Sequence, residues 1–382
     1  MSLANSEFTK KRWWLTVIGL VLYQVDILTD VVLSVKYFLA GDCLWSVLTL
    51  LFVVIASLAT NTFSYAWYRD DTLADEEDSR TSEVVRCGLT GFHVCQMGVF
   101  MRYSNLVKKG HRVLWPKSPG STSSRHDHHV LFGHAADLSM LKMFETFLES
   151  SPQLLLQFYI MLRHTHFSIL QCICMGFSCV NIAWAVVDYH RCLRRSLPEV
   201  AEMPCGFPTL FYFLYKLFTI VPRILSLSFL LILTPYCLLG LACLGLFGTL
   251  WACLVQTKFC TSKSLEVLYR TIVGVILVFT FFNVKGQNTR LEMGVYYLLY
   301  GLVNISGPGL LILLKPEFGA TDFFWPMTVV IALGTLVGLG CLCLYYGLFH
   351  PKGNTIESDG MDEVDGEMPR ESRERIKDFL QL

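Results

Sequence analysis

The chain has 382 residues, 53% of them hydrophobic and only 16% charged, against about a quarter charged in ordinary soluble domains. Its formal net charge is zero, so bulk electrostatics give no reason to expect a nucleic-acid partner. The apolar residues gather in blocks long enough to cross a bilayer, which excludes a soluble globular class.

A helical span needs about 20 apolar residues, because a helix rises ~1.5 Å per residue through a hydrocarbon core of roughly 30 Å. Segments near 13–38, 44–68, 138–162, 168–189, 208–233, 236–256, 294–314 and 323–349 meet that need. The first is too long for a signal-peptide core, holds Asp26 and Asp30, and lacks a small-residue cleavage site. It reads as a retained signal anchor. Residues 69–83 form an acidic loop, and 84–104 is a weaker apolar segment containing Arg102. Residues 105–136 read as a Ser/His-rich loop. Its His126, His128, His129 and His134 lack further ligands nearby, so no metal site is expected. The next spans carry Glu145, Glu149 and Asp188. Beyond a Pro-marked divide at 197–207 come Lys216 and Arg223, then a second weak segment, 265–284. Asn304-Ile305-Ser306 matches a glycosylation triplet but falls inside a span, and Gly334 and Gly338 mark close helix packing. Most of the fourteen cysteines lie in apolar segments, where they act as small hydrophobes.

Lys and Arg placement sets the topology. If all ten apolar segments crossed, the loop with Lys108, Lys109 and Arg112 and the connection with Arg191, Arg194 and Arg195 would face outside, against the positive-inside bias. If 84–104 and 265–284 enter and leave on one side, every basic cluster returns to the cytosol. The expectation is an all-α polytopic membrane protein with about eight transmembrane helices plus two partially inserted helices, in two similar halves. Both termini are cytosolic. The halves are 1–200, with cytosolic loops 69–83 and 105–136, and 201–350. Residues 351–382 form a cytosolic regulatory tail.

Ionisable groups inside spans are expensive, at least ~2.5 kcal/mol on insertion scales, so they pair or line a wet path. Asp26, Asp30, Arg102, Glu145, Glu149, Asp188, Lys216 and Arg223 are the candidates. One reading has them only fastening helices, the other has them form a polar route for a lipid headgroup. The expected pairs are Asp30 with Arg223 and Arg102 with Asp188. No Walker loop, EF-hand or nucleophile elbow occurs, so neither an enzyme nor a cofactor is predicted.

In the tail, Asp362-Glu363-Val364-Asp365 is followed by Gly366. Executioner caspases cut after such an aspartate in an extended, accessible segment. Beyond it, Ile376, Phe379 and Leu380 share one helical stripe beside Arg373 and Arg375, which suggests that the tail docks and inhibits.

The stretch Ser139-Met140-Leu141-Lys142-Met143-Phe144-Glu145-Thr146-Phe147-Leu148-Glu149, with Ser151-Pro152-Gln153-Leu154, resembles the signature of the XK-related family. Asp188-Tyr189-His190-Arg191, Leu268-Tyr269-Arg270 and 281–289 extend the likeness over essentially the whole chain. The resemblance implies a plasma-membrane, caspase-activated phospholipid scramblase that exposes phosphatidylserine in apoptosis. Its partners would be phospholipids, an executioner caspase and, for some relatives, a single-span accessory subunit. A channel or solute transporter and a non-scrambling accessory subunit remain alternatives.

Overall fold

A computed structural model describes residues 8–75, 89–116, 125–164, 169–196, 203, 206–255, 257, 259–260, 262–283 and 290–349. The protease site from Asp362 to Gly366 and the stripe Arg373, Arg375, Ile376, Phe379 and Leu380 lie outside them. So do 284–289 of the resemblance.

Helices account for nearly all of the described chain, and no strand occurs among the described residues. In order they are α1 (Lys10–Leu39), α2 (Cys43–Asp75), α3 (Gly98–Leu114), α4 (Arg125–Glu145), α5 (Ser151–His164) and α6 (Ile169–Ser196). They continue with α7 (Phe207–Leu233), α8 (Cys237–Leu254), α9 (Lys263–Phe279), α10 (Arg290–Leu314) and α11 (Phe324–Leu344). Seven of them, α1, α2, α6, α7, α8, α10 and α11, are long and apolar enough to cross a membrane. The protein is an all-α polytopic membrane protein.

The segment expected as the remaining span, 138–162, is helical but different in kind. A π-turn at Thr146–Ser150 divides it into α4 and α5, and Lys142, Glu145 and Glu149 make it too charged for lipid exposure. It is accordingly buried along most of its length. The stretch 105–136, expected as a loop, is helical over 105–114 and 125–136. The weaker apolar segment 84–104 holds a short helix over 89–94, a turn and only the start of α3, while 265–284 lies mostly in α9; α3 and α9 are each of 17 residues. At ~1.5 Å per residue that is about 25 Å, short of a full crossing.

The helices pack as two units, one of residues 1–145 with 191–201, the other of 146–190 with 202–351. This division follows contact, whereas the sequence halves 1–200 and 201–350 follow order along the chain. In the first unit α1 lies on α2 and α3, and α4 closes against α2 and α3. Thr9 caps α1 by accepting from the Arg12 N–H, and α1 turns into α2 through Gly41, whose φ of 86° suits a residue without Cβ.

The second unit is organised on α7, the most buried span, against which α5, α10 and α11 all pack. Small residues set these approaches. A Cβ on Gly338 would sit 2.5 Å from the Phe218 carbonyl oxygen, and one on Gly334 would sit 2.7 Å from Pro222 Cγ. The Gly334/Gly338 pair therefore packs α11 on α7. Gly248 brings α8 as close to α9, since its Cβ would meet Gly274 Cα at 3.0 Å. Pro308 inside α10 has no N–H for the carbonyl of Asn304. Ser226 Oγ supplies a hydrogen bond to that carbonyl at 3.3 Å and to the Val303 carbonyl at 3.1 Å.

Candidate functional site

In the first unit the acid on α4 meets those on α1. Glu145 is 4% exposed and Asp30 8%, and both Asp26 and Asp30 lie within electrostatic range of Glu145. Lys142, one turn before Glu145, places Nζ 3.5 Å from its Oε2 and 5.6 Å from the Tyr23 ring centre. Glu145 is thus paired with Lys142 and sits within electrostatic range of two further carboxylates.

A second polar cluster in this unit surrounds Arg102. Its Nη1 donates to Asp137 Oδ2 at 3.2 Å, Nη2 to the Ser64 carbonyl at 3.1 Å, and Nε to Ser64 Oγ at 2.9 Å. The guanidinium stacks 4.2 Å from the Tyr68 ring centre. The hydrogen-bond directions follow from one another. Ser64 Oγ already accepts from Arg102, so its proton goes to His93 Nε2 at 3.0 Å, and His93 Nδ1–H donates to the Leu89 carbonyl at 2.8 Å. His93 is thereby held as the neutral Nδ1–H tautomer. Just beyond it the chain turns through Gln96, φ 61°. The Gln96 Oε1 accepts from Ser57 Oγ at 2.8 Å and Asn61 Nδ2 at 2.9 Å, while Asn61 Oδ1 caps α3 at the Gly98 N–H. The expected partner of Arg102, Asp188, is replaced by Asp137. That residue precedes the apolar stretch 138–162 and so was not counted among the intramembrane charges.

In the second unit Lys216 and Arg223 lie two turns apart on α7, 2% and 5% exposed. Neither makes an ion pair among the described residues. Both instead face the C-terminal end of α9, where helix carbonyls lack intrahelical donors and carry partial negative charge. Arg223 Nε donates to the Val278 carbonyl at 2.9 Å. Lys216 Nζ donates to the Phe281 carbonyl at 2.9 Å and Thr280 Oγ1 at 3.0 Å. Tyrosine faces complete the setting, with Tyr215 4.8 Å from Lys216 and Tyr300 5.9 Å from Arg223. Tyr215 and Tyr297 share a 2.5 Å hydrogen bond, and Tyr300 donates to the Thr219 carbonyl at 2.8 Å. The apolar run 265–284 had indicated an inserted helix but not that its end serves as a counter-charge. Glu149 is 2% exposed in the π-turn and Asp188 is half-buried on α6.

Two further features complete the picture. A cavity of about 450 Å³ lies between α10 and α11, lined by apolar side chains with Asn304, Thr328 and Thr335 among them. Two of the four loop histidines have hydrogen-bonding roles: His128 Nδ1 accepts from the Phe8 N–H at 3.0 Å, and His134 Nε2 meets Lys109 Nζ at 2.9 Å.

Comparison with known proteins fits this arrangement. Residues 14–351 match the family model described as XK-related protein. The chain is 48% identical to XK-related protein 9 of Tetraodon nigroviridis, covering 98% of this chain and 99% of that protein. It is 34% identical to XK-related protein 8 of the same fish, covering 88% and 82%. To XK-related protein 8 of Pan troglodytes it is 32% identical, covering 92% and 87%. The chain belongs to the XK-related family.

Proposed function

We propose that this protein is an energy-independent phospholipid scramblase of the plasma membrane, with cytosolic termini, that exposes phosphatidylserine in apoptosis. The observation that carries the reading is the set of ionisable groups placed within apolar helical segments. Lys216 and Arg223 are held by carbonyls instead of carboxylates, and Glu145, paired with Lys142, lies within electrostatic range of Asp26 and Asp30. Such groups are costly in hydrocarbon and can exchange their present contacts for the phosphate and amine of a headgroup whose acyl chains stay in the bilayer. An executioner caspase cutting after Asp365 is the proposed trigger. The segment 366–382 inhibits while tethered, because a linked segment binds its own protein at high effective concentration and dilutes away once cut. It shifts the closed–open balance only by its preference for the closed form.

Reconstitution of purified protein into liposomes containing fluorescent phospholipid tests this. Protein cut after Asp365 should equilibrate lipid between leaflets without nucleotide, while the Asp365→Ala variant treated with caspase should stay slow. Ion or solute flux without lipid exchange would favour a channel or transporter. Neither activity, with co-purification of a single-span protein, would favour an accessory subunit.

A further inference from the structure

The cytosolic ends of α1 and α3, with the facing side of α4, carry a cationic surface that the charge route above does not use. Trp13 Nε1 donates to the Val107 carbonyl at 2.9 Å, and its ring lies 5.2 Å from Trp115, so the start of α1 lies along the end of α3. Lys10 Nζ stands 5.3 Å from the Trp115 ring centre. On α3, Lys108 and Arg112 are four residues apart on one exposed stripe, and Lys109 turns toward His134 of α4. Lys10, Lys11, Lys108, Lys109 and Arg112 are all exposed, and none makes an ion pair among the described residues. Positive-inside bias and the negative end of α3 account for cations here in general. They do not account for unpaired cations brought together from two helices beside an indole platform, where like charges repel.

We infer that this surface binds the headgroup of an inner-leaflet lipid bearing more than one phosphate, of the phosphoinositide class. Arg112 can bond a phosphate through two N–H groups, the lysines act as point charges, and Trp14 and Trp115 sit where aromatic side chains anchor at the bilayer interface. A single-charge headgroup would meet only part of the surface. A soluble inositol phosphate would forgo the membrane attachment that places the headgroup at this depth.

The test is thermal unfolding of the full chain in detergent, titrated with short-chain phosphatidylinositol bisphosphate, short-chain phosphatidylserine and free inositol trisphosphate. The bisphosphate lipid should raise the midpoint saturably, and added salt should weaken the effect. Each cation removed in Lys108→Gln, Lys109→Gln and Arg112→Gln should weaken binding roughly five-fold. These side chains are exposed, so the unliganded midpoints should match wild type, and Lys10→Gln gives an independent variant on α1. No shift, or an undiminished shift in the triple variant, would overturn the inference. So would an equal response to phosphatidylserine or to free inositol trisphosphate. Because no lipid exchange is measured, the result stands apart from the scramblase reading.

Discussion

Replacing Arg102 by Met would leave the Asp137 carboxylate buried beside Ser64 without its counter-charge. The side chains are 4% and 10% exposed, and the pair is bonded at 3.2 Å. Removing one partner of such a pair costs about 3–5 kcal/mol, mostly for the stranded charge, whereas replacing both by apolar residues is often close to neutral. At roughly 2–4 °C per kcal/mol, the single variant should lose about 10 °C in unfolding midpoint. Asp137→Leu should lose a similar amount, because Arg102 then keeps its bonds to Ser64 and its stacking on Tyr68 but has no anion. The double variant Arg102→Met with Asp137→Leu should recover much of the loss, giving a coupling energy of at least about 2 kcal/mol in the cycle. The assay is thermal unfolding in detergent, with fluorescence-detected gel filtration to confirm a folded peak. Single losses that simply add up in the double variant would refute the pairing argument.

Three other expectations follow from the same geometry. Burial, and secondarily the Arg102 charge, push the His93 pKa below the ordinary histidine value of 6.5, against the opposing hydrogen bond to Leu89. The unfolded chain then binds the extra proton more readily, so stability should fall as pH drops below about 6.5. His93→Gln should flatten that part of the pH–midpoint curve, and an unchanged slope would count against His93 as its source. Gly338→Ala should cost about 1–3 kcal/mol through overpacking on Phe218, whereas Gly340→Ala, with open space at its Cβ, should be neutral or mildly stabilising; paired melting curves decide it. Ser226→Ala should cost about 1 kcal/mol by stripping the Asn304 and Val303 carbonyls of their donor. Pro308→Ala restores the N–H missing opposite Asn304 and should shrink that loss in a double-mutant cycle.

The spans were legible because an apolar run of fixed length has few soluble alternatives, and Gly334 with Gly338 announced a close approach before the partner helix was known. The partners of the buried charges were not legible. Pairing by residue type sent Arg102 to Asp188, while the actual partner sat one residue outside the apolar boundary, on a helix that starts at Arg125. For Lys216 and Arg223 the counter-charge is backbone. A sequence cannot display it until the C-terminal end of α9 is placed in space. Ser64, His93 and Asn61 looked like ordinary polar residues of a helix and gained meaning only as the groups that tie Arg102 and cap α3. Asp26, Asp30 and Glu145 are conspicuous in the sequence as acids in apolar surroundings, but the proximity of Glu145 to the other two depends on the placement of α4 beside α1.

The π-turn at Thr146–Ser150 also fixes how this protein can change over time. An α-helix advances about 100° per residue, and a π-turn holds one residue more than that winding needs. Five residues in that turn wind about as far as four α-helical ones, so deleting one of them would give an unbroken α-helix whose two flanks face nearly as before. A one-residue deletion elsewhere along 125–164 has no such slack and would rotate one flank against the other by about 100°. This short stretch is therefore the place where a one-residue deletion would be absorbed, at the cost of the widened turn itself.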